Sequence, residues 1–240
     1  MNLGKDPLVL IAGLNNMGRI WDDVRALLPK EINVVAVDLP AIEDIDQLAA
    51  EVLISLPPRF ALCGFSFGGY VALAMLAAAP GRILRFALVA SGATADSAEA
   101  ASGREKARSM ALAGRHMDLV ERQASFVVHA SRAGDQALKV YRREMVAEYG
   151  AERFAAHQRA AIGRPDRTWL VQQYTGPVLI ACGADDKVIP AAKASALAEG
   201  IAGARLRIFE QCGHLVPLEQ PQALAGALSD WFDQPVVSPV

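Results

Sequence analysis

The chain has 240 residues, of which 52% are hydrophobic and 21% are charged, and its formal net charge is −2. This composition is too apolar for a disordered chain, and the length is too great for a disulfide-stapled mini-protein. The near-neutral charge argues against general nucleic-acid binding, and no run approaches the roughly 18 apolar residues of a membrane span. We therefore expect one large α/β domain, with or without a small cap, and no nucleic-acid or membrane partner.

The cysteines and the N-terminal region give further exclusions. Cys63, Cys182 and Cys212 are an odd number and lie far apart, unlike a disulfide framework or a cysteine-ligated zinc site. The apolar run at residues 8–12 is followed by asparagines rather than by a small-residue cleavage site, so it indicates a strand and not a signal peptide. We therefore expect a reduced, cytoplasmic protein with no cofactor and no metal.

Short apolar runs that are typical of buried strands alternate with longer segments of helical spacing, a pattern that predicts a parallel sheet with crossover helices. In chain order the predicted strands are residues 8–12, 33–37, 60–64, 84–90, 178–182 and 206–209. The predicted helices are residues 20–28, 45–56, 68–79, 191–202 and 221–232. The fold class is therefore α/β, with a mostly parallel sheet of about six strands and helices on both faces.

The interval 93–174 has a different character, because it lacks a convincing strand apart from an ambiguous run at 125–129. Its helices are predicted to break at Gly103, Gly114, Gly134, Gly150 and Gly163. It holds 13 of the 24 Lys and Arg residues and 10 of the 26 Asp and Glu residues, so its charge is +3 against −5 elsewhere. We predict a core of residues 1–92 and 175–240 and a helical cap of residues 93–174. We interpret the basic excess as an ordinary solvated surface. The alternative is a mild positive electrostatic field that attracts anionic substrates.

The strongest local motif is Gly64-Phe65-Ser66-Phe67-Gly68-Gly69, which follows a predicted strand and opens a predicted helix. In this context the pattern G-x-S-x-G places a serine nucleophile at the tip of a tight turn. Only small residues fit two positions before and after Ser66, and the helix N-terminus beneath it favours developing negative charge. We predict Ser66 as a nucleophile, with an ordinary glycine-rich turn as the alternative.

A nucleophilic serine needs a base, and the chain has four histidines. His214 follows the last predicted strand, at the same sheet edge as Ser66, and Gly213 before it suits a flexible loop that carries the imidazole over the serine. The other three lie in the predicted cap, where we expect surface or partly buried polar residues: His116, His129 and His157. His214 is therefore the predicted general base, with a structural histidine as the alternative.

The base needs an acid that fixes its tautomer and stabilises the imidazolium. Asp185 and Asp186 follow the fifth predicted strand at the same edge, so one should face the histidine while the other caps a turn or helix. We favour Asp186. The chain order Ser66, Asp186, His214 is that of α/β-hydrolases and differs from the orders in chymotrypsin and subtilisin.

With these motifs the chain resembles the α/β-hydrolase superfamily over nearly its whole length, and within it the compact bacterial carboxylesterases and enol-lactone hydrolases. The matching segments are residues 10–14, 37–40, 64–69, 183–190 and 213–221. The resemblance implies an α/β-hydrolase fold, Asp186 as the acid, and an oxyanion hole made by the backbone N–H groups of Leu14 and Phe67. The chain departs from the family at Ala12, where relatives carry His, and in a shortened loop at residues 38–43.

The triad and the resemblance imply a serine hydrolase that cleaves carboxylic esters of small or medium size through an acyl-enzyme. The same triad would also serve a lactone, a thioester or a C–C bond, and a non-catalytic ligand-binding member of the fold is the third alternative. The expected partner is a small-molecule ester or lactone. Candidate pocket residues are Asn15, Met117 and Phe126, for which turn formation and core packing are the ordinary explanations.

Overall fold

The computed structural model describes residues 6–236, so the ends of the predicted core, residues 1–5 and 237–240, lie outside the described residues. Six parallel strands form one sheet in the order β2-β1-β3-β4-β5-β6. The strands are β1 (Leu8–Ile11), β2 (Val34–Val37), β3 (Phe60–Phe65), β4 (Ile83–Val89), β5 (Val178–Gly183) and β6 (Arg205–Phe209). Every predicted strand is present, and its ends differ from the prediction by at most one residue.

Helices cover both faces of this sheet. One face carries α1 (Asp22–Leu27) and the C-terminal helix Pro221–Phe232, and a 3₁₀ turn replaces the start of the helix predicted at residues 20–28. The other face carries α2 (Ile45–Ile54), α3 (Phe67–Ala78) and the helix Ala191–Glu199. No helix within residues 6–236 is long and apolar enough to cross a membrane.

Strand side chains alternate between two hydrophobic clusters, one on each face. In β3, Ala61, Cys63 and Phe65 join the cluster that contains α1, whereas Phe60 and Leu62 join the cluster that contains α2 and α3. All six residues of β3 are buried, as expected for a strand covered on both sides. Burying one large apolar side chain contributes about 1.5–3 kcal/mol, so these layers stabilise the sheet on which the site is built.

Between β4 and β5 the chain forms the cap segment, residues 93–174, which contains no strand; the run at 125–129 is a series of turns. Its helices are α4 (Ala98–Met110), α5 (His116–Arg122), α6 (Gln136–Tyr149), α7 (Ala151–Gly163) and α8 (Thr168–Gln172), with a kink of non-helical backbone at Ala113 and Gly114 between α4 and α5. Leu138, Met145, Tyr149 and Phe154 belong to the same hydrophobic cluster as β1 and β3. The cap segment therefore extends the hydrophobic core on this face, and its residues Ala160, Ala161 and Val171 join the cluster on the other face. The remaining helices are α9 (Ala191–Glu199), α10 (Val216–Glu219) and α11 (Pro221–Phe232).

Most of the predicted glycine breaks are present in the cap segment. Gly114 and Gly150 have φ of 78° and 82°, a backbone conformation that glycine adopts without steric cost, at the α4–α5 kink and between α6 and α7. Gly134 lies in the turn before α6, and Gly163 ends α7. The break at Gly103 was wrong, because this residue lies inside α4. A helix-interior glycine costs only about 1 kcal/mol relative to alanine, which capping and packing of α4 offset.

Candidate active site

Ser66 occupies the turn between β3 and α3, at the C-terminal edge of the sheet. Its φ of 52° and ψ of −120° are a strained conformation for a residue with a side chain. The surrounding glycines permit this turn, since a Cβ on either Gly64 or Gly68 would overlap main-chain atoms of the turn or of β1. Ser91 Oγ donates to the Ser66 carbonyl at 2.8 Å, so the turn is also held from the end of β4.

The three residues predicted as a triad lie within hydrogen-bond distance of one another. His214 Nε2 is 2.9 Å from Ser66 Oγ, and His214 Nδ1 is 2.8 Å from Asp186 Oδ2. The other carboxylate oxygen of Asp186 accepts the backbone N–H groups of Val188 at 2.8 Å and Ile189 at 2.9 Å. The fixed carboxylate accepts a hydrogen bond from the Nδ1–H of His214, and this tautomer leaves Nε2 unprotonated and able to accept the proton of the serine hydroxyl.

Asp185, the neighbouring aspartate, points elsewhere. Its side chain is 48% exposed and lies 3.7 Å from His129 Nε2, whereas Asp186 is 4% exposed beneath His214. The structure therefore places Asp186, the favoured of the two aspartates, against the histidine. Asp185 contacts a cap histidine instead of capping the turn that the sequence suggested.

The loop that carries His214 is held by the buried carboxylate of Glu219, in α10. This carboxylate accepts three backbone N–H groups, from His129 at 2.7 Å, Gly213 at 3.1 Å and Leu215 at 3.1 Å. Two of these donors flank His214 and the third belongs to the cap segment. Glu219 therefore joins the base loop to the cap.

Gly213 has a different role from the flexible hinge that the sequence suggested. A Cβ at this position would lie 2.6 Å from main-chain atoms of Val128 and His129, so only glycine allows the two loops to approach. The next residue, His214, also donates its backbone N–H to the Val127 carbonyl at 3.1 Å. Close packing against the cap, rather than mobility, explains the glycine.

The two predicted oxyanion donors belong to segments that meet at Ser66. Phe67 begins α3, and the first N–H groups of a helix have no intrahelical acceptor. Leu14 lines the same cavity as Ser66 and His214. Gly13 before it lies so close that an added Cβ would be 3.0 Å from Ser66 Cβ. The first loop and the start of α3 thus face the nucleophile from two sides.

The oxyanion loop, residues 13–16, is a tight turn, as the ordinary explanation of the two asparagines predicted. Asn15 has a φ of 61°. Asn16 donates its backbone N–H to the Gly13 carbonyl at 3.1 Å and its side-chain amide to the Leu14 carbonyl at 2.7 Å. Local hydrogen bonds therefore define the fold of the oxyanion loop.

Two cap histidines are buried, contrary to the expectation of surface or partly buried residues. His116 is 6% exposed and its Nε2 lies 2.8 Å from Asn15 Oδ1; His157 is fully buried. Burial lowers the pKa of His157 to about 4 and also lowers the pKa of His116 below its usual value. Both imidazoles are therefore neutral near pH 7, and His116 acts as a hydrogen-bond donor to the oxyanion loop.

A cavity of about 430 Å³ opens at the triad between the sheet edge and the cap segment. Two candidate pocket residues, Asn15 and Phe126, line it, whereas Met117 does not. Val120 in α5 and Gln123 directly after it face the cavity, and Met117 is turned about 90° around the helix axis from that face. The prediction of Met117 as a pocket residue is therefore not supported by its position.

Two arginines, Arg104 and Arg142, line the cavity. Its lining residues within the described part of the chain include no carboxylate. Arg104 is paired with Asp96 at 2.7 Å. Arg142 donates only a long hydrogen bond, 3.5 Å, to the Ala124 carbonyl, and no carboxylate of residues 6–236 forms an ion pair with it. Burial lowers the pKa of Arg142, but a guanidinium stays charged near neutral pH. The cavity thus offers a cation to an incoming molecule.

The cysteines and the remaining titratable groups do not form a metal centre in residues 6–236, where no group of three or more His, Cys, Asp and Glu could hold an ion. Cys63, Cys182 and Cys212 are buried free thiols. Burial raises the pKa of Cys212, so this neighbour of the base loop is an uncharged packing residue.

Three residues that support the site were given no role in the sequence analysis. Glu219 lies within the matched segment at residues 213–221, so the signal was present, but its three hydrogen bonds depend on the fold. Ser91 and His157 carry no motif at all. The contact of Ser91 with Ser66 and that of His157 with Pro40 join parts of the chain that are far apart in sequence.

Comparison with known proteins agrees with this architecture. A model of the alpha/beta hydrolase family matches residues 8–227. The chain is 28% identical over 236 residues to pimeloyl-[acyl-carrier protein] methyl ester esterase of Nitrosomonas europaea, covering 91% of this chain and 93% of that protein. It is 26% identical over 252 residues to 2-hydroxymuconate semialdehyde hydrolase of Pseudomonas sp. strain CF600, covering 94% of this chain and 86% of that protein.

Solved structures share the fold over almost the whole chain. The enol-lactonase from Burkholderia xenovorans LB400 has a TM-score of 0.86 at 22% identity, covering 98% of this chain and 94% of the other. A thermophilic esterase from Thermogutta terrifontis has a TM-score of 0.85 at 24% identity, covering 94% of this chain and 89% of the other. The predicted α/β-hydrolase fold is confirmed, and the family model spans the sheet from its first strand to the last helix. The chain belongs to the alpha/beta hydrolase family.

Proposed function

We propose that this protein is a serine hydrolase that cleaves the carboxylic ester of a small or medium-sized substrate through an acyl-enzyme. The observation that carries the proposal is the hydrogen-bonded series Ser66, His214 and Asp186, which opens on a cavity of about 430 Å³. The similarity to a methyl ester esterase over nearly the full length of both chains supports ester hydrolysis.

In the acylation step, Ser66 Oγ forms a bond to the ester carbonyl carbon while its proton passes to His214 Nε2. The carbonyl electron pair moves to oxygen, and the resulting oxyanion accepts the N–H groups of Leu14 and Phe67. Preorganised donors of this kind are each worth on the order of 3–4 kcal/mol in the transition state. The tetrahedral intermediate then expels the alcohol, which takes its proton from His214.

In the deacylation step, His214 removes a proton from water, whose oxygen attacks the acyl carbon. The same two N–H groups hold the second oxyanion. Collapse breaks the bond to Ser66 Oγ, which regains a proton from His214, and the carboxylic acid leaves. Asp186 remains ionised and stabilises the imidazolium in both steps.

Two alternatives use the same fold differently. A lactone, thioester or C–C bond would enter the same sequence of steps, and the structural likeness to an enol-lactonase and the similarity to 2-hydroxymuconate semialdehyde hydrolase favour keeping this alternative. A non-catalytic ligand-binding role would not require a serine, a histidine and an aspartate joined by hydrogen bonds.

The test compares hydrolysis of p-nitrophenyl acetate and butyrate by the wild type and by Ser66→Ala. We expect turnover by the wild type and loss of nearly all turnover in the variant, since the nucleophile is removed. Ser55→Ala is the matched control, because Ser55 Oγ donates only to the Val52 carbonyl at the end of α2. Equal turnover in Ser66→Ala and the wild type would overturn the proposal. A set of lactones measured alongside the esters ranks the two catalytic alternatives.

A further inference from the structure

We propose that the cavity at the triad contains a subsite for a carboxylate at the far end of the substrate, formed by Arg104 of α4 and Gln158 of α7. This inference rests on the proposed function, because it concerns which esters reach Ser66. It goes further, since it names the substrate class: esters whose acyl chain ends in a carboxylate, which are half-esters of dicarboxylic acids.

The first observation is the hydrogen bond between these two residues. Both line the same cavity as Ser66, and Arg104 Nη1 donates to Gln158 Oε1 at 3.0 Å. A guanidinium only donates, so the amide oxygen must face it and the amide NH₂ group is left unused. Gln158 is 5% exposed, yet its Nε2 donates to no atom of residues 6–236 and is not sealed from solvent. This buried amide therefore offers its N–H groups to a molecule in the cavity.

The second observation is the charge beside this amide. Asp96 accepts Arg104 Nε at 2.7 Å and Arg164 Nη2 at 2.7 Å, and neither arginine has another ion pair in the described part of the chain. Two guanidiniums and one carboxylate leave this group a net charge of +1. A carboxylate in the cavity can accept from Arg104 Nη2 and Gln158 Nε2 together, and such charge-assisted hydrogen bonds are stronger than neutral ones.

The third observation is the open space along α4 beside Arg104. Ala100, Gly103 and Ala107 share one face of the helix with Arg104, and all four line the cavity. A Cβ on Gly103 would have no neighbour within 4 Å, and Ala100 and Gly103 are exposed. Small residues therefore form a mouth of the cavity next to the arginine. A charged group held near the mouth loses less hydration than one deep in the cavity, which favours this place for the far end of the substrate.

Arg142 also lines the cavity, from α6, but it is less suited to hold a carboxylate at a fixed position. Its hydrogen bond to the Ala124 carbonyl is 3.5 Å long, so its side chain would have to be ordered when a substrate binds, at a cost in entropy. Arg104 is already held by Asp96 and Gln158. We therefore assign the hydrogen bonds to Arg104 and Gln158, and a longer-range attraction to Arg142.

The alternative explanation is that this cluster only holds α4 to the rest of the cap, and Gln158→Glu separates the two explanations. The new side chain has the same shape and still accepts from Arg104, but it replaces the NH₂ donor by an acceptor and cancels the net charge. Gln136→Glu is the matched control, because it adds the same charge at an exposed position of α6 that does not line this cavity.

The experiment measures kcat and KM in a pH-stat for the monomethyl esters of succinate, glutarate and adipate. Each is paired with a neutral methyl ester of the same shape, in which an isopropyl group replaces the carboxylate. We expect the wild type to prefer at least one half-ester to its neutral counterpart. Gln158→Glu should lower kcat/KM for that half-ester by about 30-fold, as expected for losing a hydrogen bond to a charged group, and should leave the neutral ester within about twofold. The loss should appear in KM, because the far end binds equally in ground and transition states. Gln136→Glu should change neither ester.

A second variant tests the place of the far end. Gly103→Leu narrows the mouth on α4, and it should fold at least as well as the wild type because leucine is a better helix former than glycine. We expect kcat/KM to fall about tenfold for the half-ester and its neutral counterpart, with methyl acetate within about twofold, because only the longer chains reach the mouth. Gly226→Leu is the matched control, since Gly226 lies inside α11 with equally open space and does not line the cavity.

A wild type that hydrolyses no half-ester better than its neutral counterpart would overturn the inference. An unchanged preference in Gln158→Glu, with only a lower Tm, would overturn it as well and leave the structural explanation. If Gln158→Glu does not fold, Gly103→Leu decides: equal losses for methyl acetate and the half-ester, or no loss for either, would contradict a far end beside α4. A wild type that hydrolyses neither these esters nor p-nitrophenyl butyrate would instead refute the proposed function.

Discussion

The sheet edge and the cap segment contribute to the site in different ways. The edge supplies the proposed reacting groups from three loops that follow β3, β5 and β6, and each loop begins at a strand end whose position is fixed by buried apolar residues. The cap supplies polar groups around them: the backbone of residues 127–129 contacts the loop that carries His214, and Arg142 lines the cavity. The comparison indicates that the chemistry belongs to the edge, whereas its alignment and the charge of its cavity depend on the cap.

The largest effect should come from the acid at the sheet edge. Asp186→Asn keeps the side-chain shape but removes the charge that orients His214 and stabilises its imidazolium. We expect kcat to fall on the order of 10⁴-fold, as when the acid of such a triad is neutralised. Asp185→Asn is the matched control, since this neighbour is half-exposed and faces His129, and its kcat should stay near the wild-type value. The reverse ranking in steady-state ester hydrolysis would mean that Asp185 is the acid.

The next effect concerns the junction between the two regions. Glu219→Gln places an amide where a carboxylate accepts three N–H groups, so at least one donor beside His214 or in the cap loses its partner. Because a displacement near 1 Å can cost about 10²-fold, we expect kcat/KM to fall by about that factor with a lower Tm. The exposed Glu210 gives the control variant Glu210→Gln. Wild-type kcat/KM in Glu219→Gln would show that the base loop does not need this link.

A smaller effect is expected from the cavity charge. Arg142→Met removes the guanidinium that lacks an ion-pair partner, so kcat/KM should fall about tenfold more for an ester with a distant carboxylate than for p-nitrophenyl butyrate. Arg143→Met on the same helix is the control, because Arg143 is exposed and paired with Glu121 at 3.0 Å. Equal losses of kcat/KM for the anionic and the neutral ester would show that Arg142 does not recognise the charge of the substrate.

The smallest effect on catalysis should come from an ion-pair cluster inside the cap. Although burial acts the other way, Arg164 and Arg104 hold the pKa of Asp96 below its usual value. A depressed folded-state pKa stabilises the protein above the unfolded pKa, near 3.9, and this stability is lost as pH falls through the folded pKa. Asp96→Asn should lower the free energy of unfolding by about 3 kcal/mol at neutral pH.

Urea unfolding at a series of pH values measures this difference, with Asp230→Asn as an exposed control. The gap between wild type and Asp96→Asn should be widest above the unfolded pKa and should narrow as pH falls through the lower folded pKa, where the carboxyl becomes protonated in both states. A gap that does not change with pH would show that the side chain acts through packing and not through its charge.

The two regions also differ in how much the sequence predicts. The strands were located to within one residue because buried parallel strands are continuous apolar runs, and Ser66, Asp186 and His214 follow three of them. The helices of the cap were harder to predict, because a glycine such as Gly103 often ends a helix but here lies inside one. His116 and His157 were expected to be surface or partly buried residues, since their partners Asn15 and Pro40 are more than 100 positions away. Local patterns report strand ends and turns, but not the long-range contacts that bury a polar side chain.

The most direct test of the central claim, that Ser66 is a nucleophile activated at the sheet edge, is covalent labelling with a fluorophosphonate followed by peptide mass spectrometry. We expect one adduct per chain on the peptide that contains Ser66, and none in Ser66→Ala. A His214→Gln variant should label far more slowly than wild type, because the base is missing while the serine remains. Labelling of a different residue, or no labelling of a folded and ester-hydrolysing wild type, would contradict the account.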